Sequence, residues 1–328
     1  MIKFVVRRLI MMIPVLLGVT FIIFTMLYFT PGDAADMILG DSATVQQREL
    51  LREQLHLNEP FLMQYGNYIK NIITKGDLGT SYTTRLSVTK ELLTYFPTTI
   101  KLAVFSSFLA AILGIIFGII SATKQYSIID KITTALALVG VSMPNFWLGM
   151  MLIIVFAVNL RWLPPSGFNT AASWILPTIT LSCVGVAQLT RMTRSSMLEV
   201  IRQDYIRTAR SKGLGESAIV FRHALKNALI PVITAIGLTV SRLLGGAVLA
   251  ESVFSVPGLG KLMVDAIKQR NFPIVQGGVL LIAFSMSVVN LIVDILYAFA
   301  DPRIRSQYIR SRKNRISFVK GAKTGEQA

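Results

Sequence analysis

The amino-acid sequence predicts an all-α polytopic membrane protein with six transmembrane helices and both termini in the cytosol. Three observations carry that prediction: an apolar excess too large for a soluble core, six long runs almost free of charge, and a lopsided distribution of Lys and Arg. Of the 328 residues, 53% are hydrophobic and 15% charged, against about 45–50% and about 25% in soluble domains. Mean hydropathy is +0.59. Lipid is the solvent that such a surplus requires.

A span needs roughly 20 mostly apolar residues. Residues 9–29, 102–123, 132–160 and 174–190 contain no charged side chain, residues 228–250 contain only Arg242, and residues 275–300 only Asp294. These are the six expected helices. Lys3, Arg7 and Arg8 ahead of the first run imitate the start of a signal peptide. The run exceeds the roughly 7–15 residues of a signal core, so an uncleaved anchor is expected. Residues 132–160 are long enough to tilt, and Pro144 within them removes a backbone donor and is expected to kink the helix.

The charges set the topology. Net charge is +16, with 33 Lys and Arg. Twenty-one of these fall on one side of the six runs: three before the first, two in residues 124–131, eight in residues 191–226 and eight after residue 300. Retained loops collect Lys and Arg, so this side is expected to be cytosolic. The basic balance is then topological and suits contact with anionic lipid; no nucleic-acid partner is expected. The resulting organisation is an N-terminal tail and first helix (1–30), an extracytoplasmic segment (31–98), a transmembrane core (95–300) with a basic loop at 191–227, and a basic cytosolic tail (301–328).

The extracytoplasmic segment has eight acids against six bases. Residues 46–57 and 64–73 read as helices from their apolar spacing, and Gly76-Asp77-Leu78-Gly79 as a turn. A cap over the outer mouth of the helices is expected. Cys183 excludes an internal disulfide, and inside an apolar run it reads as a buried packing residue. His56 and His223 do not make a metal site. No phosphate loop of the Gly-x4-Gly-Lys-Ser/Thr type occurs, so the chain is expected to hydrolyse no ATP, and catalytic residues are expected to be absent.

The basic loop holds the most specific pattern. It includes Arg207-Thr208-Ala209-Arg210-Ser211-Lys212-Gly213-Leu214-Gly215 and then Phe221-Arg222-His223-Ala224-Leu225-Lys226-Asn227. This resembles the cytoplasmic loop signature Glu-Ala-Ala-x3-Gly-x9-Ile-x-Leu-Pro of binding-protein-dependent ABC importer permeases. Arg207-Thr208-Ala209 stands in place of Glu-Ala-Ala, Gly213 and Leu225 match, His223 replaces the isoleucine and Lys226 the proline. These departures are those of the peptide/nickel branch. Further segments fit the same branch: Pro31-Gly32-Asp33, Gly76 to Ser81, Ser142-Met143-Pro144-Asn145-Phe146-Trp147, Leu163-Pro164-Pro165-Ser166-Gly167, the Glu251 to Gly260 stretch, and Asp301-Pro302-Arg303-Ile304-Arg305.

The resemblance implies a type I ABC importer permease fold and a permease subunit that forms the translocation path. It also implies a second homologous permease, two cytosolic ATPase subunits that bind ATP and Mg, and an extracytoplasmic solute-binding protein. A short coupling helix around residues 207–221 is expected to enter a groove on an ATPase. Gly213 and Gly215 would supply its turns, Ala209 its close approach, and Arg207, Arg210, Lys212 and Arg222 its partners for acidic groups. Thr208, Leu214, Phe221, His223 and Leu225 complete the expected surface. Within the membrane, Gly114-x3-Gly118 and Gly245-Gly246-Ala247 read as close-packing sites or as path lining. Pro144, Asn145, Arg242, Gly245, Gly246, Asn290 and Asp294 are the candidate path residues. Arg242 and Asp294 are costly in lipid: they pair with each other, the first expectation, or Arg242 meets a substrate carboxylate, or Asp294 simply sits near the inner boundary. Peptide is the expected cargo, with nickel or a nickel chelate as the alternative. An ATP-independent channel or a membrane enzyme is disfavoured, the first by the coupling loop, the second by the lack of clustered acids, His or Cys.

Overall fold

The computed structural model describes residues 2–31, 34–40 and 43–300. The tail from residue 301, with the Asp301 to Arg305 segment, lies outside the described residues, as do Gly32 and Asp33. Among the described residues the protein is helical. The elements are α1 (Ile2–Tyr28), α2 (Ala34–Leu39), α3 (Val45–Gln54), α4 (Phe61–Lys75), α5 (Val88–Thr123), α6 (Ile128–Ser142), α7 (Asn145–Leu152), α8 (Ile175–Ile201), α9 (Asp204–Ser211), α10 (Glu216–Ala218), α11 (Leu225–Val253), α12 (Leu259–Lys268) and α13 (Phe272–Ala300). π-helical turns extend α7 over Ile153–Asn159 and join α10 to α11 over Ile219–Ala224.

Five helices are long and apolar enough to cross a membrane; α6 and α7 make a sixth crossing only as a pair bent by 105°. The sequence implied a kinked helix here, and the chain instead breaks. Met143 (ψ 129°) and Pro144 (ψ 133°) are both extended. Proline drives its predecessor out of the helical region and cannot donate to the preceding turn, so two extended residues in succession turn the chain.

Other helices outrun their apolar stretches. Helix α5 begins at Val88 and carries Lys90, Glu91 and Lys101 in its N-terminal part, so the end of the 31–98 segment and the second span share one helix. Helix α8 continues through the basic stretch to Ile201. Hydropathy marks where lipid solvates a helix, whereas helix ends follow local hydrogen bonding. The cap helices lie near their expected places. Thr44 closes a capping box with Gln47 at the start of α3, and Gly76 (φ 62°) ends α4 in the left-handed region. Helix α12 was not foreseen, although Leu259, Met263 and Ala266 repeat at helical spacing and are buried.

Helix α1 stands at the edge of the bundle. Leu9, Ile10, Ile13, Ile22 and Met26 are exposed, as lipid contact requires, and Phe21, Phe24 and Tyr28 stack edge-on against Phe61 and Tyr65 of α4. The centre of the bundle is α5 against α8. There Gly114 and Gly118 let the backbones meet, because a Cβ on either would run into Leu189, Thr190 or Thr193. Without a hydrophobic drive between helices in lipid, such close contact supplies the dispersion energy of association.

Gly118→Val should therefore lower stability by about 1–3 kcal/mol through overpacking. Gly246→Ala, where an added Cβ meets nothing within 4 Å, should be neutral. Thermal unfolding in detergent checks both, and equal melting points would refute the packing account.

Candidate functional site

The basic loop folds as two helical pieces over a small core of its own. Helix α9 is strongly two-faced: Ile206 and Ala209 are buried, while Arg207, Thr208 and Arg210 are exposed. Beneath it, Ile206 and Ala209 join Met197 of α8, Ala122 of α5, and Ile219, Val220 and Ala224. The expected role of Ala209 in close approach to a partner is thus corrected: it packs inward, on its own chain.

The turn is set by Gly213. Its φ of +80° belongs to the left-handed region that a Cβ penalises. Its N–H bonds Arg210 O at 2.9 Å, and the Leu214 N–H bonds Ala209 O at 3.3 Å, the paired closure of a Schellman helix end. Arg210 then reaches across the turn to Glu216, with Nε and Nη2 donating at 2.8 and 3.2 Å. The expected single helix over residues 207–221 is therefore two short helices with Lys212, Gly213, Leu214 and Gly215 exposed between them. Phe221 is 62% exposed, with exposed Arg222 beside it. His223 and Leu225 are half-buried. Asn227 donates to the Tyr205 hydroxyl at 2.8 Å, which fastens α9 to the start of α11.

An ion pair the sequence did not reveal braces this region. Arg194, on α8, donates through Nε and Nη2 to Asp130 at 2.9 Å each. Asp130 also accepts from the Ser121 hydroxyl and, at 3.0 Å, from Tyr126 N–H. The available signal was an acid in a short basic loop. The end of α5, the start of α6 and the later part of α8 are thereby held together.

The intramembrane candidates do not form one cluster. Asp294 pairs with Arg8 at 2.9 Å, and Arg242 donates to Gln188 at 2.7 Å, which corrects the expected Arg242–Asp294 pair. Helices α11 and α13 are neighbours, but Arg242 lies on the exposed side of α11, together with Gly246 and Leu249. Gly246 packs against nothing, while Gly245 lies in ordinary contact with Met286; the close-packing expectation fails at Gly246. Pro144 is exposed. The Oδ1 atoms of Asn145 and Asn290 are buried without a hydrogen-bond partner among the described residues.

The C-terminal end of α11 holds a fully buried carboxyl group. Glu251 is completely buried. Its carboxylate accepts from Thr99 Oγ1 at 2.6 Å, Gly260 N–H at 2.7 Å and Lys261 N–H at 3.2 Å, and Thr99 Oγ1 in turn accepts from Leu259 N–H at 2.8 Å. A Cβ at Gly258 or Gly260 would collide with this carboxylate. The motif from Glu251 to Gly260 is thus a clamp binding α11, α5 and the first turn of α12.

Comparison with known proteins agrees with this arrangement. The family model described as "Binding-protein-dependent transport system inner membrane component" matches residues 114–306, and the corresponding N-terminal model matches residues 1–103. The chain belongs to this family of ABC importer permeases. The dipeptide transport system permease DppB of Alkalihalophilus pseudofirmus is 44% identical, over 93% of this chain and 100% of that protein. The di/tripeptide permease DppB of Pseudomonas aeruginosa is 42% identical over 94% and 100%, and the glutathione permease GsiC of Escherichia coli K12 is 41% identical over 93% and 99%. A chain of the inward-facing MetNI methionine ABC transporter superposes with a TM-score of 0.56 at 18% identity, over 64% of this chain and 96% of that chain, a likeness of fold. The permease is accordingly a multi-pass inner-membrane protein.

In this permease, Glu251→Ala should orphan the donors on Thr99, Gly260 and Lys261, at about 1–3 kcal/mol for each group left buried and unpaired. Glu251→Gln, which keeps the shape and one acceptor, should lose less. The two variants melting alike in detergent would contradict the clamp.

Proposed function

We propose that the permease imports short peptides, driven by ATP hydrolysed on partner subunits. The observation that carries the coupling half of this reading is the exposed turn around Gly213. It presents Arg207, Lys212, Leu214, Phe221 and Arg222 outward from a buried base. Cations beside exposed apolar side chains suit a groove with acidic walls, and a turn held by its own hydrogen bonds pays little ordering entropy on docking. The cargo half rests on the relatives, whose names specify dipeptides, di/tripeptides and glutathione. Nickel is not favoured.

In this reading the basic face, where α1 and α11 start and α5 and α13 end, lies in the cytosol. Two ATPase subunits holding ATP and Mg engage the coupling turns of this chain and of a second, homologous permease. Closure of the ATPases pushes on α9 and α10, and the π-helical join passes the push into α11. The pore between the two permeases then opens outward to a solute-binding protein and reopens inward after hydrolysis. ATP must favour one packing over the other for this to work. Pro144, Asn145, Arg242, Gly245, Gly246 and Asn290 remain the proposed path-facing set, while Asp294, paired with Arg8, is proposed as structural.

Gly213→Pro tests the coupling role, since proline forbids the +80° φ and removes the bond to Arg210 O. The complex should still purify with its ATPases, while stimulation of ATP hydrolysis by the binding protein should fall by about 5- to 150-fold, the usual range of a coupling free energy. Normal stimulation together with normal uptake would end this assignment.

A further inference from the structure

A cavity of about 820 Å³ lies at the opposite end of the molecule from the coupling turn, between the outer end of α1, helices α3 and α4, the turn at residues 77–82 and the start of α13. Ligand sites commonly occupy about 300–1,000 Å³, so it is large enough for a small molecule. None of the residues considered above as coupling or path residues lines it.

Its chemistry is specific. Tyr68 lines the cavity, and its hydroxyl is buried without a hydrogen-bond partner among the described residues. Burial, with a smaller contribution from Tyr65, pushes its pKa up, so it stays a neutral O–H donor. A buried donor left unpaired requires an explanation, and a ligand that accepts from it supplies one. Around it stand the amides of Asn71 and Gln276, the cations Arg52 and Arg85, and the carboxylate of Asp77. Phe24, Tyr28 and Phe272 add aromatic surface.

We propose that this cavity is a docking site for a short peptide, occupied before the peptide enters the membrane. Side-chain amides each offer a donor and an acceptor, which matches the alternating N–H and C=O of a peptide backbone. A lining with both signs of charge matches a zwitterion with a carboxylate at one end and an ammonium at the other. The aromatic rings accommodate varied side chains without selecting one. A phospholipid headgroup would account for the arginines but leave the amides of Asn71 and Gln276 unused. The proposal rests on the peptide-import reading and adds to it a second point of peptide recognition, on the permease itself.

The test uses the intact complex with its ATPases, in nanodiscs and without binding protein. Tri-alanine carrying a diazirine is added, irradiated, and its cross-links mapped by mass spectrometry. Label is expected on α4 and on residues 77–82, competed by unlabelled tri-alanine. Tyr68→Phe should weaken that competition about tenfold, the loss of one hydrogen bond from a buried donor. It should not lower the melting temperature, because the hydroxyl has no partner among the described residues to lose. Absence of label from the cavity, identical competition in Tyr68→Phe, or displacement by phospholipid but not by tri-alanine would each overturn the proposal. Uptake of tri-alanine into proteoliposomes with the binding protein is measured alongside. Uptake without cavity label overturns the docking site and keeps peptide import; cavity label without uptake of any peptide keeps the docking site and overturns import.

Discussion

A carboxyl group with no access to water organises the half of this permease that contains the C-terminal end of α11. Burying a charge is costly unless donors replace its hydration, and Glu251 receives three, from α5 and from the first turn of α12. The positive end of a helix favours a negative group, so α12 must begin where Glu251 ends α11. Gly258 and Gly260 follow from the same constraint, since any side chain there would occupy the space of the carboxylate. Once placed, α12 buries Leu259, Met263 and Ala266 with Val88 and Leu92 of α5 and Ile274 and Val275 of α13. One buried carboxyl group thus fixes the mutual position of four helices.

At its other end α11 begins in the basic loop. It has 29 residues, about 43 Å at 1.5 Å per residue, and no break separates it from the π-helical turns that follow α10. Tyr205 and Asn227 lock α9 to it. A displacement of the loop therefore reaches the Glu251 clamp through a single hydrogen-bonded rod. Arg194 and Asp130 brace α8 against α5 and α6 at the same end, beside the core on which α9 packs. Pro231 lies in the first turns of α11 and removes one ladder bond there, which places the softest part of the rod next to the loop.

Much of this was legible in the residues, for a physical reason. Lipid solvation acts on composition over some twenty residues, so all six apolar runs correspond to helices or, for residues 132–160, to a broken pair. Gly213 was legible because a left-handed turn excludes most other residues. Partnerships were not legible. Arg242 and Asp294 are the only charges in the last two apolar runs, which made them look like a pair, yet which helix faces which is a property of packing, and each found a different neighbour. Ala209 was misread for a similar cause: a small residue at a set position signals close approach, but not whether to a partner or to the chain's own core. Asp130 and Glu251 were passed over because an acid beside a loop resembles any solvated acid until its donors are in place.

The same facing problem bears on why this chain should work only as part of an assembly. Arg242 sits well within α11 on its exposed side, with one neutral partner in Gln188 and no ion pair among the described residues. Left against hydrocarbon, an arginine at mid-helix costs about 2.5–3.5 kcal/mol on insertion scales. Asn145 and Asn290 each hold a buried carbonyl oxygen without a donor among the described residues, a further cost at membrane depth. Leu238, Gly246 and Leu249 lie on exposed turns of α11 with Arg242, a surface with one charge, a bare stretch of backbone and large apolar side chains. Lipid accommodates the leucines and the hydrogen-bonded helix backbone but not the charge. Water alone would solvate the charge but not the leucines. A second permease meeting this face, with a water-filled path along the seam, satisfies both. In the proposed arrangement Arg242 and Gly246 would border the path, the leucines would pack the seam, and α11, running from the basic loop to the Glu251 clamp, would form one wall of the pore.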